Sequence, residues 1–370
     1  MHEYYFYFQK TPKTVLALGA ESDGNFCFFM QGKIYFSENF GDLLEEKNWQ
    51  QYQKAVLKFL LKNKIKPDII LTDMHPLYLT SIFGETLSKK YKAKHIRVQH
   101  HIAHIFSAIG DRFISDATYT MPDICYGVAM DGTGYGEDKK IWGGEIFEIK
   151  TGQTKIIKRI GCLENQILIG GDLAVKEPAR MLLGILNNFF PKDKIYNLTK
   201  KYYTKNEFEL LHNQLKQNFN CLETSSTGRI LDAASILLGF CGNKRNYKHE
   251  PIFLLEANSA MPYTNIKPKI ETIKDIKILN TTILFEYLIE NLHKNKKRLA
   301  TTAQLYIAEG LREIIDKNTS TTFIAGGIAN NKIISAYLIS LGVYEKKAIP
   351  RGDAGLSFGQ IIYYLFLISH

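Results

Sequence analysis

Cysteine is scarce in this sequence and is not arranged for cross-linking or for zinc. The 370 residues contain five cysteines, an odd number, and no two of them form a C-x-x-C pair. They stand at Cys27, Cys125, Cys162, Cys221 and Cys241. A disulfide framework and a zinc ribbon are therefore excluded, and a reducing cytoplasm is the expected location.

Long apolar runs are also absent. No stretch of about 18 apolar residues occurs, so the sequence predicts no membrane span. Residues 1–5 contain no basic segment followed by an apolar stretch, so no signal peptide is expected. An apolar content of 45% and a charged content of 23% are typical of a globular protein. The length suffices for two compact lobes.

Acidic residues are outnumbered, and the formal net charge is +10. Such a surplus permits an acidic partner, a phosphate-rich ligand or a nucleic acid. The charge is spread along the chain, apart from one dense run at residues 294–298. We expect that run to be a solvated helix face, because charge runs usually are.

The pattern of apolar segments predicts an α/β fold in which one unit is used twice. Residues 1–124 show three short strands, with a hairpin signal at Gln31-Gly32-Lys33, and then alternating helices and strands. Residues 125–370 begin in the same way, are interrupted by a helical insertion over about residues 161–320, and then resume the pattern. Two βββαβαβα units suggest the duplicated, two-lobed fold of actin-like ATPases and sugar kinases, which holds a nucleotide between its lobes.

Two histidines one helical turn apart are the sharpest local signal. His100 and His104 lie in the run Gln99-His100-His101-Ile102-Ala103-His104, and a helix would place both imidazoles on one face. This spacing suits two ligands of one metal ion, while the alternative is a histidine-rich surface turn. Ile102 and Ala103 occupy the middle positions, so the H-E-x-x-H pattern of metalloproteases is absent.

Glycines that follow apolar strands form a second signal. Asp131-Gly132-Thr133-Gly134 comes directly after a strand, and Gly326-Gly327 lies between a strand and a helix. Glycine permits close approach of the backbone to a phosphate, and a helix N-terminus can hold an anion. The Asp131 carboxylate would point into the cleft. An ordinary hairpin explains the first glycine pattern equally well.

Three further side chains have two interpretations each. Asp353 is either the N-cap of the last helix or a carboxylate ligand of the metal. Lys176 and Arg180 lie one turn apart, so they either face phosphates or are solvated helix charges. Two histidines with one or two carboxylates suit Fe²⁺ or Zn²⁺, and sequence rules do not separate these metals.

Taken in order, these strings resemble the C-terminal carbamoyltransferase region of the hydrogenase maturation factor HypF. The lobe pair is also similar to tRNA threonylcarbamoyl-transferring proteins of the TsaD type and to antibiotic O-carbamoyltransferases. The resemblance covers almost the whole chain and rests on Val15-Leu16-Ala17-Leu18-Gly19-Ala20-Glu21, Asp73-Met74-His75-Pro76, Val98-Gln99-His100-His101-Ile102-Ala103-His104, Asp131-Gly132-Thr133-Gly134-Tyr135-Gly136, Trp142-Gly143-Gly144-Glu145, Gly170-Gly171-Asp172, Glu177-Pro178-Ala179-Arg180-Met181, Gly228-Arg229-Ile230-Leu231-Asp232-Ala233, Gly326-Gly327 and Gly355-Leu356-Ser357-Phe358-Gly359-Gln360.

The resemblance implies a metal-dependent carbamoyltransferase. It assigns the divalent metal to His100, His104, Asp131 and Asp353. It assigns the phosphates and ribose of ATP, AMP or carbamoyl-adenylate to the glycine turns, including Gly228, and to Asp232. The carbamoyl group would pass from carbamoyl-adenylate to the C-terminal cysteine of a HypE-type partner, for [NiFe]-hydrogenase maturation. No internal cysteine is predicted to act as a nucleophile, because none lies in a motif.

The sequence departs from that family in three places. The acylphosphatase, zinc-finger-like and carbamoyl-adenylate-forming domains that precede this region in the family are absent, so a separate domain or protein is expected to supply the donor. Gly352 replaces an asparagine, and His249-Glu250-Pro251 replaces a Gly-containing stretch. These changes concern the acceptor and the nucleotide contacts more than the metal ligands.

Two other functions remain open from the sequence. Transfer to tRNA or to a small molecule is favoured only by the positive charge, and salt-dependent RNA binding would support the tRNA alternative. A non-catalytic nucleotide-binding subunit would be expected to lack the metal ligands, and all four candidates are present.

Overall fold

The computed structural model describes residues 1–5, 13–152, 154–315 and 321–368. Within these ranges the strands are β1 His2–Tyr5, β2 Val15–Ala17, β3 Cys27–Met30, β4 Lys33–Phe36, β5 Ile69–Asp73, β6 Lys94–Val98, β7 Ile124–Tyr135, β8 Ile141–Lys150, β9 Ile156–Leu163, β10 Gln166–Ile169, β11 Cys221–Thr224, β12 Ile270–Ile273, β13 Ile276–Leu279 and β14 Thr322–Ala325. The helices are α1 Glu46–Lys62, α2 Leu79–Tyr91, α3 His100–Ser115, α4 Asp172–Lys176, α5 Pro178–Leu186, α6 Lys192–Thr199, α7 Lys205–Lys216, α8 Thr227–Leu238, α9 Glu250–Ala257, α10 Thr282–Glu290, α11 Lys296–Ile314, α12 Lys332–Ser340 and α13 Leu356–Ile368.

The first sheet has the strand order β1-β4-β3-β2-β5-β6. Strands β2, β3 and β4 are antiparallel, whereas β5 and β6 add to β2 in parallel. The predicted hairpin turn is confirmed, since Gln31 and Gly32 both have positive φ, 51° and 79°. Strand β5 is buried along its whole length, as expected of a central parallel strand covered on both faces.

The second sheet repeats this arrangement. Strands β7, β8 and β9 are antiparallel, β14 adds to β7 in parallel, and a parallel bridge from Phe323 to Tyr344 continues the order. Both sheets therefore share one core order, with the third, second, first, fourth and fifth strands of each unit side by side. This duplication confirms the two-lobed, actin-like α/β fold.

Two helices pack between the sheets. Helix α3 follows the first sheet in sequence and packs against β7 and β14 of the second, while the closing helix α13 packs against α3 and against β2 and β3 of the first. One apolar cluster accordingly contains residues of both sheets, including Val15, Phe106, Phe323 and Phe358. The predicted boundary at residues 124 and 125 stays a prediction, and these helices pack across it.

The region predicted as a helical insertion, about residues 161–320, contains helices α4–α11 and also four short strands. Strands β10–β13 lie within residues 161–320 and extend the second sheet at its edges. These strands are four residues each, too short for a reliable alternating pattern. None of the helices in the described ranges is long and apolar enough to cross a membrane.

Candidate metal centre and adjoining cleft

The metal-ligand candidates on α3 lie at its N-terminal end, where the chain leaves β6. The side chain of Gln99 caps the helix by accepting a hydrogen bond from the Ile102 backbone N–H at 2.9 Å. The helix then places His100 and His104 one above the other, as the four-residue spacing predicts, and both side chains are buried.

The structure brings all four predicted metal ligands together. His100 Nε2 lies 3.1 Å from His104 Nε2 and 3.1 Å from an oxygen of Asp131. His104 Nε2 lies 3.3 Å from an oxygen of Asp353. All four donor atoms fall within 4.8 Å of one another. Donor atoms that share one cation at about 2.1 Å are separated by roughly 3.0–3.4 Å, so this constellation suits a single divalent metal ion.

Asp73, at the end of β5, orients one of the histidines and was not predicted as a site residue. Its Oδ2 lies 2.7 Å from His100 Nδ1, and both side chains are fully buried. A carboxylate that accepts the Nδ1 proton leaves the Nε2 lone pair free for a metal, which is a common outer-shell arrangement. The signal was available in the string Asp73-Met74-His75-Pro76, because the carboxylate follows a buried strand.

The carboxylates around His100 dominate its electrostatics. Burial by itself lowers the pKa of His100, but the charge of Asp73 and the hydrogen bonds to Asp131 and Asp73 outweigh it and raise the pKa well above its ordinary value. Burial likewise opposes ionisation of Asp131, yet hydrogen bonds to the two histidines hold its pKa well below the ordinary value. The cluster therefore favours a positive charge among these four side chains, whether a proton or a cation supplies it.

The bulge in β7 and two backbone N–H groups, those of Gly132 and Gly327, hold the Asp131 side chain in position. The ladder between β7 and β8 changes register between Met130 and Gly134, so Asp131 lies inside an irregular strand. The prediction that Asp131 directly follows the strand is therefore wrong. Its Oδ1 accepts from the Gly132 N–H at 2.8 Å and from the Gly327 N–H at 3.3 Å. The other oxygen is thereby turned toward the histidines.

Asp353 is presented by a loop that α3 anchors. On the same face of the helix as His100 and His104 lies Asp111, whose Oδ1 accepts from the Ala348 and Ile349 N–H groups at 2.7 and 2.6 Å. Its Oδ2 accepts from the Lys347 N–H and the Tyr344 hydroxyl, both at 2.8 Å. One buried carboxylate thus fixes residues 344–349, just before the Asp353 ligand.

Lys346, in this loop, is a buried lysine that gives the protein a measurable pH dependence. Its Nζ donates to Ser107 Oγ and to the Pro350 carbonyl, and burial lowers its pKa to about 7. Between about pH 7 and 10 the unfolded chain therefore binds a proton that the folded chain does not, so stability rises with pH.

We expect Lys346→Met to remove this rise. Wild-type free energy of unfolding, measured by urea denaturation, should gain up to about 1.4 kcal/mol per pH unit from this group between pH 7 and 10. The difference between the two proteins isolates Lys346 from other titrating groups. Equal slopes would show that the amine is not neutralised by folding.

A cleft opens beside the four ligands, with a volume of about 330 Å³, within the range of small-molecule sites. Asp131 and Asp353 form part of its wall, so the candidate metal centre borders it. Lys248 lies at one side of the cleft, where its Nζ donates hydrogen bonds to the side chains of Ser22 and Asp23 of the first lobe.

Three of the predicted nucleotide-binding residues line this cleft: Gly132, Thr133 and Gly327. Gly134 and Gly326 serve packing. A β-carbon on Gly134 would lie 2.4 Å from the His101 ring, and one on Gly326, with φ of 96°, would lie 2.1 Å from the Met130 carbonyl oxygen. Gly228 lets the first turn of α8 approach the bulge, since its β-carbon would meet Gly132 at 2.8 Å.

The three charged residues predicted to contact nucleotide lie elsewhere. Asp232 is buried and pairs with two arginines, with its Oδ2 2.9 Å from Arg229 Nη2. Lys176 is exposed, and Arg180 pairs with Glu177 beside a separate cavity in the insertion. Their one-turn spacing, which suggested a shared phosphate, is broken because α4 ends at Lys176 and a new helix begins at Pro178.

The cleft residues that sequence analysis missed are mostly in the insertion: Arg229, Arg245, Lys248, His249, Ile252 and Phe253. Of these residues, only Arg229 belongs to a sequence string that resembles the family. His249 and Gly352 are positions where the sequence departs from the family pattern. Both departures line the cleft. Residues 245–253 carry no glycine pattern, so their place became visible only once the insertion folded against the second sheet.

The fold and the cluster define a two-lobed actin-like protein with a buried His₂Asp₂ centre beside a nucleotide-sized cleft. Residues 127–360 match the family described as the carbamoyltransferase, Kae1-like domain, second subdomain, and residues 10–111 match the HypF Kae1-like domain. The chain belongs to the HypF carbamoyltransferase family, and it corresponds to the Kae1-like region of that family.

Individual relatives agree. The chain is 38% identical to the probable carbamoyltransferase HypF of Methanocaldococcus jannaschii, over 95% of this chain and 46% of that protein. It superposes with a TM-score of 0.86 on T. kodakarensis HypF, at 26% identity over 99% of this chain and 49% of the other. A full-length HypF in the phosphate- and nucleotide-bound form gives 0.86 at 24% identity, over 99% of this chain and 57% of the other. The chain spans about half the length of the curated relatives it matches first.

Proposed function

We propose that this chain transfers a carbamoyl group from carbamoyl-adenylate to the C-terminal cysteine of a HypE-type partner protein. The observation that carries the proposal is the cluster of His100, His104, Asp131 and Asp353, three of them buried, on the wall of the cleft. Membership of a carbamoyltransferase family supplies the group transferred. The donor is made by a separate carbamoyl-adenylate-forming domain or protein.

A divalent metal such as Fe²⁺ or Zn²⁺ suits the four donor atoms and, when bound, would supply Lewis-acid polarisation of the carbamoyl carbonyl or the adenylate phosphate. Asp73 holds His100 in the tautomer such a ligand needs. The N–H groups of Gly132 and Gly327 hold Asp131 in position. Contacts within the protein therefore orient two of the four candidate ligands, His100 and Asp131.

The proposed transfer is a single step in which no residue of this chain acts as the nucleophile. The acceptor thiolate attacks the carbamoyl carbon, a carbon–sulfur bond forms, the carbon–oxygen bond to the adenylate phosphate breaks, and AMP leaves with the electron pair. Cysteines of this chain are poorly suited to that role, since burial raises the pKa of Cys125 and Cys162 to about 12 and that of Cys241 to about 11.

Mass spectrometry of the acceptor tests the proposal. The protein is incubated with a purified HypE-type partner, carbamoyl phosphate, ATP and divalent metal, with and without a separate carbamoyl-adenylate-forming enzyme. We expect the partner to gain the mass of one carbamoyl group only when both enzymes are present.

A partner that lacks its C-terminal cysteine is the matched control and should stay unmodified. Carbamoylation of tRNA or of a small hydroxyl compound, with the partner unchanged, would contradict the assigned acceptor. Modification of the partner by this chain alone would contradict the proposed division of labour.

A further inference from the structure

The lining of the cleft contains buried polar atoms without partners. Among the described residues, the Nε and Nη1 atoms of Arg229, the Nε of Arg245 and the Nδ1 of His249 have no hydrogen-bond partner. Folded proteins pair the great majority of their buried polar groups, and each exception calls for an explanation such as a ligand. All three residues line the same cleft.

The two arginines of this lining outnumber the one carboxylate that contacts them. Arg229 and Arg245 both direct a guanidinium nitrogen to one oxygen of Asp232, and the Arg229 side chain is only 2% exposed. Two buried guanidinium groups thus share one carboxylate. Burying an uncompensated charge is costly, and here burial lowers the pKa of Arg229 to about 10. An anion bound in the cleft would restore the balance.

The position of Arg229 relates this excess charge to the candidate metal centre. Its Nη2 lies 3.6 Å from the place that a β-carbon on Gly132 would occupy, and Gly132 follows the ligand Asp131. Helix α8, which carries Arg229, begins at the same point, capped by Ser226, whose hydroxyl donates to the Asp131 carbonyl at 3.1 Å. The positive end of this 12-residue helix adds to the field at the bulge.

We infer that Arg229, with Arg245 beside it, binds the phosphate group of the donor nucleotide and holds it next to the His₂Asp₂ centre. The inference rests on the proposed function and concerns two arginines to which neither the glycine patterns nor the family resemblance gave a role. A guanidinium fork matches phosphate oxygens, and Asp232 keeps the two forks in place. Asp232 is thereby a positioning residue for the arginines.

Calorimetric titration with AMP, adenosine and inorganic phosphate tests this inference. Arg229→Met keeps most of the side-chain length and removes the charge. We expect its affinity for AMP to fall about tenfold to a hundredfold, the usual effect of losing charged hydrogen bonds, while adenosine affinity changes by less than about threefold. Arg229→Lys, which keeps the charge and loses the fork, should recover part of the AMP affinity.

Arg180→Met is the matched control, because Arg180 is also a helix arginine paired with a carboxylate, with a side chain 14% exposed, but it lies at the other cavity. It should bind AMP as the wild type does. Unchanged AMP affinity in Arg229→Met, or an equal loss of affinity for AMP and for adenosine, would overturn this inference and leave the proposed function untouched. If Arg229→Met does not fold, Arg229→Lys and Arg245→Met carry the same comparison. A wild-type protein that binds no AMP would instead remove the nucleotide site from the proposed function.

Discussion

Replacing His104 with alanine should remove bound divalent metal and abolish carbamoyl transfer while leaving the fold intact. Among the residues that the structure describes, four side-chain donors converge at this centre, and His104 Nε2 lies within 3.1–3.6 Å of the other three donor atoms. A site with so few protein ligands cannot lose one without losing most of its affinity. Loss of a mere outer-shell partner already costs about 10–100-fold. We therefore expect both metal affinity and transfer rate to fall by at least about 100-fold.

Metal content per folded protein, measured by elemental analysis after dialysis, checks this result, with His100→Ala expected to behave alike. The control is His101→Gln. His101 is not one of the four donors, but it is buried under Gly134, so alanine there would open a cavity. Glutamine fills more of that space and leaves the four donors unchanged. Full metal occupancy in His104→Ala would reject the metal site.

Replacing Asp111 with alanine should destabilise the protein by more than about 3 kcal/mol. The substitution strands three backbone N–H groups, those of Lys347, Ala348 and Ile349, and it removes the negative charge near buried Lys346. The unsatisfied donor of buried Ile349 would cost about 1–3 kcal/mol, and the exposed residues Lys347 and Ala348 would each lose a hydrogen bond of about 1 kcal/mol. The loop before Asp353 would then lose its anchor, so metal affinity should fall as well.

Two further variants make this result specific. Asp111→Asn keeps one oxygen for Ala348 and Ile349 but faces the Lys347 N–H with an amide donor, so its loss of stability should be intermediate. Asp116→Ala, at the exposed end of the same helix, should cost less than about 1 kcal/mol. Urea denaturation compares all three proteins. A loss in Asp111→Ala no larger than that in Asp116→Ala would show that the loop does not depend on this carboxylate.

Local chemistry made much of the metal site predictable. The four-residue spacing of His100 and His104 fixes their relation wherever the segment is helical, and Gln99 supplies the cap that starts the helix there. A carboxylate at the end of a buried strand, such as Asp73, is placed at a sheet edge by the strand itself. The duplicated strand pattern likewise follows from short-range apolar periodicity and turn residues such as Gln31-Gly32.

Charged residues in the insertion were assigned less well, because helix spacing does not state which wall a helix faces. Lys176 and Arg180 appeared to share one helix face, but a helix break and the salt bridge to Glu177 place them away from the cleft. Asp232 was predicted to bind the phosphates or ribose of the nucleotide, but one of its oxygens forms salt bridges with two arginines. Arg245 belongs to no motif, and His249 is marked in the sequence only as a departure from the family pattern.

The sequence by itself determined the duplicated α/β pattern, the histidine pair and the glycines that allow close backbone approach. All of these depend on neighbours within a few residues, where covalent geometry sets the spacing. Only the tertiary structure decided that Asp353 reaches His104 across about two-thirds of the chain, that α3 and α13 pack between the sheets, and that Arg229 borders the bulge of β7. Those contacts depend on how buried surfaces from distant segments pack against each other, which no local pattern records.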